Sequence, residues 1–275
     1  MGEQRFSWQF AVVLFAAWAI LMFLLLPILV TIPVSFTPER YVSLPAWGEW
    51  SLAPYERVFE DDRWFNSMGQ SLIIALVSTA IAVVAGTLAS IGLWRLSSKM
   101  ADMMRWLALA PLIVPPVVSA LAFYQVFVQI KRTFGLQMLD SFTGMIVAHA
   151  ILGVPFVVIT VSTSLSNLDV RQEQAARSLG AGMFQTLWYV ILPNVKPGMM
   201  AGAVFAFVLS WDEIVVTLFV TSRHIYTLPR RIWSGIRENL DPAIAAVATL
   251  LIAATVLAVI ITVLLRSRRG SAESA

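Results

Sequence analysis

Cysteine is absent from the 275 residues, and charge is scarce, with Asp, Glu, Lys and Arg making up 13% of the chain. Without thiols there are no disulfides, no thiolate metal sites and no Cys nucleophile. Histidine occurs twice, as His149 and His224, too few and too far apart in sequence to suggest a His-based metal centre. A soluble domain carries about 25% charged residues, so this chain lacks much of the charge a water-facing surface needs. The net charge is +3, yet no run of five or six Lys or Arg occurs. A nucleic-acid partner is therefore excluded, because nothing here would track a phosphate backbone. No G-x-x-x-x-G-K-S/T stretch occurs either, so the chain has no P-loop to cradle a nucleotide.

What fills the sequence instead is apolar: 59% of residues are hydrophobic, and the mean hydropathy is +0.79. Crossing the hydrocarbon core takes about 20 mostly apolar residues. Stretches of that length lie at about 10–36, 67–93, 106–130, 143–163, 198–221 and 243–265. They predict an all-α integral membrane protein with six transmembrane helices. The first is read as retained: it exceeds the apolar run of a signal peptide, about 7–15 residues, and no small-x-small cleavage site follows it. Six spans put both termini on one side. Alternate loops carry ten and nine Lys or Arg, which leaves the orientation open; Arg266, Arg268 and Arg269 beside the last span favour an inside C-terminus. Residues 1–65 hold the first helix and a polar, aromatic loop, 66–265 the other five spans, and 266–275 a short tail.

The longest loop after the first, residues 164–197, contains EQAARSLGAGMFQTLWYVILPN. Asn167 or Asp169 can cap a helix here, and Asp169 with Gln172 has capping-box spacing. Good helix formers run from Val170 to Leu179, and Gly180 suits a left-handed stop. A second helix is expected from about Gly182 to Leu192, ended by Pro193 and Pro197. Ala175 and Ala176 leave one side thin enough for another backbone to approach closely. A DNA-reading helix-turn-helix is excluded, since GMFQTLWYVIL offers no Lys, Arg or Asn to base edges and is pinned between two spans. A solvated connector and a docking knob for a partner protein remain.

The spacing resembles that of permease subunits of importing ATP-binding-cassette (ABC) transporters. Those carry E-A-A, three residues, G, nine residues, then I-x-L-P. Here Gln174-Ala175-Ala176, Gly180 and Val190-x-Leu192-Pro193 stand at the same separations. Gln174 replaces the Glu, with Glu173 one residue earlier, and Val190 replaces Ile. NSMGQSLIIA in the second span and APLIVPPVVSAL in the third are also similar to family segments. The resemblance implies a type I ABC importer permease bundle, with the loop as a cytoplasmic coupling hairpin seated in a cleft of the ATPase. Asp169, Glu173, Gln174, Ala175, Ala176, Gly180, Leu192 and Pro193 would form that coupling element. Both termini would be cytoplasmic, in a bacterial inner membrane. The implied partners are a second permease subunit forming a heterodimer, a cytoplasmic ABC ATPase dimer and a periplasmic solute-binding protein. This chain would bind no cofactor and have no catalytic residues, with ATP and Mg on the partner ATPase.

Asp212 and Glu213 lie inside the fifth span, toward its outer end. A carboxylate near the bilayer centre costs about 2.5–3.5 kcal/mol, so the pair points to a water-filled path or a cationic partner. Ser210 and Glu213 also have capping-box spacing, so the span can break and restart there; a broken helix lining a cavity is a common transporter device. SWDEIVVTLFVTS and the following TLPRRIW resemble the polyamine subclass, the spermidine/putrescine permeases. That likeness implies a polycation moving past Asp212 and Glu213, with Trp211, Tyr124 and Trp233 as available aromatic faces. Each aromatic is equally readable as an interfacial anchor. His149 is read as an interhelical residue, with a proton role as the alternative, and Glu238 and Asp241 as solvated. The rival function is an autonomous secondary transporter driven by an ion gradient through Asp212 and Glu213.

Overall fold

The computed structural model describes residues 8–96, 99–238 and 240–273, with side chains as far as Leu264. The side chains of Arg266, Arg268 and Arg269, expected to favour an inside C-terminus, therefore lie outside the described residues. The helices are α1 (Trp8–Val34), α2 (Ala53–Glu60), α3 (Asp62–Arg95), α4 (Lys99–Ile113), α5 (Pro116–Phe134) and α6 (Phe142–Ser166). After them come α7 (Val170–Ser178), α8 (Met183–Thr186), α9 (Leu192–Asp212), α10 (Val215–Val220), α11 (Leu228–Glu238) and α12 (Ala243–Glu273). Phe10–Val34, Asp62–Arg95, Phe142–Ser166, Met183–Asp212 and Ala243–Leu264 are each long and apolar enough to cross a membrane.

The third span departs from expectation. In place of one helix over about 106–130, α4 and α5 meet at a break and are bent by 107°. Pro115 and Pro116 explain it: neither has an N–H for the preceding turn, and each pushes the residue before it out of the helical region. Pro115 accordingly sits at φ −54° and ψ 138°, and α5 starts afresh from it. The first loop also differs, folding residues 53–60 into α2.

The chain divides into two compact units, residues 1–64 with 232–275, and residues 65–231. In the first, α12 packs on α1 and α2. Phe36 lies against Trp50 and Tyr55, with ring centroids 5.8 and 5.2 Å away. Asp241, expected to be merely solvated, accepts the Ala243 N–H at 2.9 Å and pairs with Arg57 at 3.2 Å, so it caps α12 and ties it to α2. The long apolar side chains of α1 are largely exposed.

The second unit is built on α6 and α9, which pack along their lengths. Glycine makes that closeness possible. A Cβ on Gly198 would fall 2.3 Å from Ser164 Oγ, and one on Gly202 would fall 2.8 Å from the Val157 Cα. Two apolar clusters fill the unit. One gathers Val157, Val161, Leu165, Ile191 and Val195 near the hairpin, and the other Ile74, Phe127, Met145, Val216 and Ile225 toward the opposite end. Since hydrocarbon surrounds such a bundle, close packing of small residues and interhelical hydrogen bonds hold it, more than burial from water.

Candidate functional site

Two regions of the 65–231 unit carry the sequence-predicted residues. The first is the hairpin. Asp169, not Asn167, is the cap of α7: its carboxylate accepts the Arg171 N–H at 2.9 Å. The expected box with Gln172 does not form, because the Gln172 side chain reaches Asn194 of α9 at 3.1 Å. Gly180 takes φ 86°. With it the Gly180 N–H bonds to the Arg177 carbonyl and the Ala181 N–H to the Ala176 carbonyl, closing the helix end with a left-handed residue.

The second arm is not ended by Pro193 and Pro197. From Met183 it runs unbroken into the fifth span as far as Asp212. Residues 187–191 form a widened π-type turn in which the Leu192 N–H bonds to the Leu187 carbonyl. Pro193 falls in the first turn of α9 beyond it, and the Asn194 side-chain amide donates to the Val190 carbonyl at 2.7 Å. The wide turn and the amide together absorb what the proline cannot donate.

Ala175 and Gln174 face outward, and Ala176 is half-buried. Glu173 is not free to stand in for a charge at position 174. It is 9% exposed and its Oε1 accepts from Arg95 at 3.2 Å and from Arg177 at 2.8 Å. What the hairpin does present is apolar: Leu179 is 90% and Phe184 84% exposed, with Met183, Trp188 and Tyr189 beside them in sequence and also exposed. These large side chains were missed as candidate docking residues, although four of them stand in the quoted MFQTLWY stretch. Leu192 is half-buried and Pro193 exposed at the start of α9.

The second region is the break between α9 and α10. Ser210 is not the cap. Its buried hydroxyl lies 2.7 Å from His149 Nδ1 and accepts from Ser78 Oγ at 3.1 Å, joining α9 to α6 and α3. His149 Nε2 is buried and has no hydrogen-bond partner. The capping side chain comes from Glu213, one residue before the Ile214 N-cap of α10: its backbone turns extended at ψ 113° and its Oε1 accepts the Val216 N–H at 2.9 Å. The bond runs this way because Glu213 is the first non-helical residue, leaving its carboxylate free to fold over the next turn. Asp212 is exposed. Asp212 and Glu213 both line a cavity of about 310 Å³ together with Phe156, Phe205, Val208 and Leu209. The Phe156 and Phe205 rings stack with centroids 6.2 Å apart. Trp211 turns onto Phe207 instead, at 6.0 Å, and neither it nor Tyr124 lines the cavity. Trp233, in the other unit, lies under Arg237 at 5.4 Å.

A third feature was not read from the sequence. Asp140, at φ 52°, receives the N–H groups of Ser222, Arg223, His224 and Ile225 at 2.9–3.2 Å. The same loop is held by α3: the Tyr226 N–H bonds to Gln70 Oε1 at 2.7 Å and the Leu228 N–H to Ser71 Oγ at 2.8 Å. Arg230 and Arg231 lie over the Tyr226 ring at 4.4 and 4.8 Å.

Comparison with known proteins places the sequence. Residues 82–270 match the family of binding-protein-dependent transport system inner membrane components. The putrescine transport system permease protein PotI of Escherichia coli K12 is 29% identical over 251 residues, covering 91% of this chain and 87% of that one. The spermidine/putrescine transport system permease protein PotC of the same strain is 30% identical over 242 residues, covering 88% and 89%. A solved bacterial ABC transporter that imports the acidic polysaccharide alginate shares the fold, with TM-score 0.73 and 13% identity, over 95% of this chain and 96% of that one. The chain belongs to this permease family: it is a multi-pass membrane subunit of an ABC importer with the type I fold.

Proposed function

From that membership, we propose that the chain forms one half of the transmembrane path of an ATP-driven importer of polyamines, with Asp212 as the residue that meets the cation. The observation that carries this reading is the acidic, aromatic-walled cavity at the break of the fifth span. A polyamine is a chain of protonated amines separated by methylene groups. Asp212 and the charge of Glu213 suit the ammonium groups, while the stacked Phe156 and Phe205 suit the methylenes and a cation–π contact. An exposed carboxylate inside a span is tolerable where it faces a water-filled path, and transporters build such paths from broken helices. The two relatives, named for putrescine and for spermidine/putrescine transport, support the same class.

The hairpin is the proposed seat of a cytoplasmic ABC ATPase dimer, which binds ATP and Mg and does the hydrolysis; this chain binds no cofactor. The exposed Leu179, Met183, Phe184, Trp188 and Tyr189 suit burial against a protein surface. With the hairpin inside, both termini are cytoplasmic in a bacterial inner membrane. A second, different permease subunit completes the path, and a periplasmic solute-binding protein delivers the substrate. Closure of the ATPase then rocks the bundle between outward and inward states.

The test is uptake of labelled putrescine and spermidine by the complete transporter in proteoliposomes. We expect ATP-dependent uptake of at least one of them. Asp212→Asn should weaken it about fivefold, the worth of one partly screened ion pair of about 1 kcal/mol. Uptake of neither amine, or full uptake by Asp212→Asn, rejects the reading.

A further inference from the structure

We infer that α3 is a rigid strut linking the hairpin to the loop at the opposite end of the unit, with the Glu173–Arg95 ion pair as its hairpin joint. The inference rests on the hairpin being the ATPase seat. On α7, two consecutive side chains tie the hairpin to two different helices: Gln172 to Asn194 of α9, and Glu173 to Arg95 of α3. Consecutive helical residues point about 100° apart, so the two ties brace α7 from different sides.

Glu173 is the more deeply set of the pair. Its carboxylate stands between two guanidiniums, and its main long-range partner, Arg95, is the last residue of α3. Arg95 Nε is buried without a hydrogen-bond partner, so among the described residues this guanidinium is held by its reach to Glu173. A half-buried guanidinium that loses its carboxylate leaves charge partly shielded from water, a penalty that favours the closed joint as the hairpin moves.

The other end of α3 grips a loop. Gln70 both accepts the Tyr226 N–H and reaches the His224 carbonyl, Ser71 accepts the Leu228 N–H, and Ser67 accepts from Arg231 Nε at 2.7 Å. From Gln70 to Arg95 the helix has no break, and at 1.5 Å per residue it spans about 37 Å. A continuous helix clamped at both ends transmits displacement better than a loop would. A shift of the hairpin therefore repositions residues 224–228, and a partner pressing on that loop is felt at the hairpin.

Stimulation of ATP hydrolysis by substrate-loaded binding protein reads this link directly, in the complete transporter. Arg95→Gln and Gln70→Leu, at opposite ends of α3, should each keep basal hydrolysis and reduce that stimulation at least about fivefold, a coupling energy in the usual allosteric range. The double variant should be no worse than the poorer single one, because both cut the same strut. Normal stimulation in either single variant, or losses that multiply in the double, overturns the inference. Should Arg95→Gln fail to assemble, Gln70→Leu paired with Ser71→Ala decides by itself. The docking premise is tested separately by Gly180→Trp, which should release the ATPase during co-purification; retention there rejects the premise whatever α3 does.

Discussion

Asp140 takes a left-handed backbone to aim its carboxylate at four successive N–H groups of residues 222–225, a conformation that Asp tolerates better than most residues. Partial burial favours its neutral form, but the hydrogen bonds from Ser222, Arg223 and His224 outweigh that and hold the carboxyl below the usual carboxylate range. A carboxyl depressed on folding contributes stability above its unfolded value, about 3.9, and loses it only as the pH falls through the folded value. Asp140→Asn should thus lower the melting temperature of the purified protein by an amount equivalent to about 1–3 kcal/mol. The gap to the unmodified protein should stay constant from pH 7 to about 5 and narrow only below about 4, as followed by tryptophan fluorescence. Narrowing already at pH 6 would show that the loop does not hold this carboxylate charged. Glu213 poses the complementary case, since its oxygen caps α10 while its charge faces the cavity. Glu213→Gln keeps an acceptor for the Val216 N–H, whereas Glu213→Ala loses about 1 kcal/mol of capping. Polyamine uptake by Glu213→Gln should exceed that of Asp212→Asn; the reverse order would make Glu213 the main cation partner.

At the scale of elements, the α6–α9 seam sets how much change the bundle tolerates. Gly202→Val places atoms where Val157 and Thr160 already stand, and overpacking of that kind costs about 1–3 kcal/mol. Gly69→Ala meets nothing within 4 Å in α3 and should leave the melting temperature unchanged or raise it. Equal effects of the two would mean that the seam is loosely packed. The local signals in the hairpin were legible because they depend on neighbours in sequence: the Asp169 cap and the left-handed Gly180 need only a few residues around them. Pro193 reads as a stop in the sequence, since its accommodation depends on the widened turn at 187–191 and on which way Asn194 points. Ser210 shows the same limit, although the span does break where its spacing to Glu213 suggests. Its spacing to Glu213 fits a cap, but His149, 61 residues away, takes the hydroxyl. The 107° bend at Pro115 was visible only as punctuation, since proline marks where a helix is interrupted and the packing of α5 against α10 fixes the angle. Asp140 left no mark at all, because its partners lie 82–85 residues further along the chain.

For the whole molecule, the decisive contrast is between a subunit and a self-sufficient transporter. Both would place carboxylates at a broken span, so Asp212 and Glu213 alone do not separate them. The family does bear on it: residues 82–270 match the inner membrane components of binding-protein-dependent transport systems. On the proposed reading, energy enters through the hairpin and not through an ion site. The purified chain by itself in proteoliposomes should accumulate no putrescine or spermidine under an imposed proton or sodium gradient. Adding the second permease and the ATPase, with ATP and loaded binding protein, should start uptake that persists when the gradient is collapsed by ionophores. Gradient-driven accumulation by the chain alone would assign the coupling to Asp212 and Glu213. The exposed apolar side chains of the hairpin would then need an explanation other than an ATPase surface.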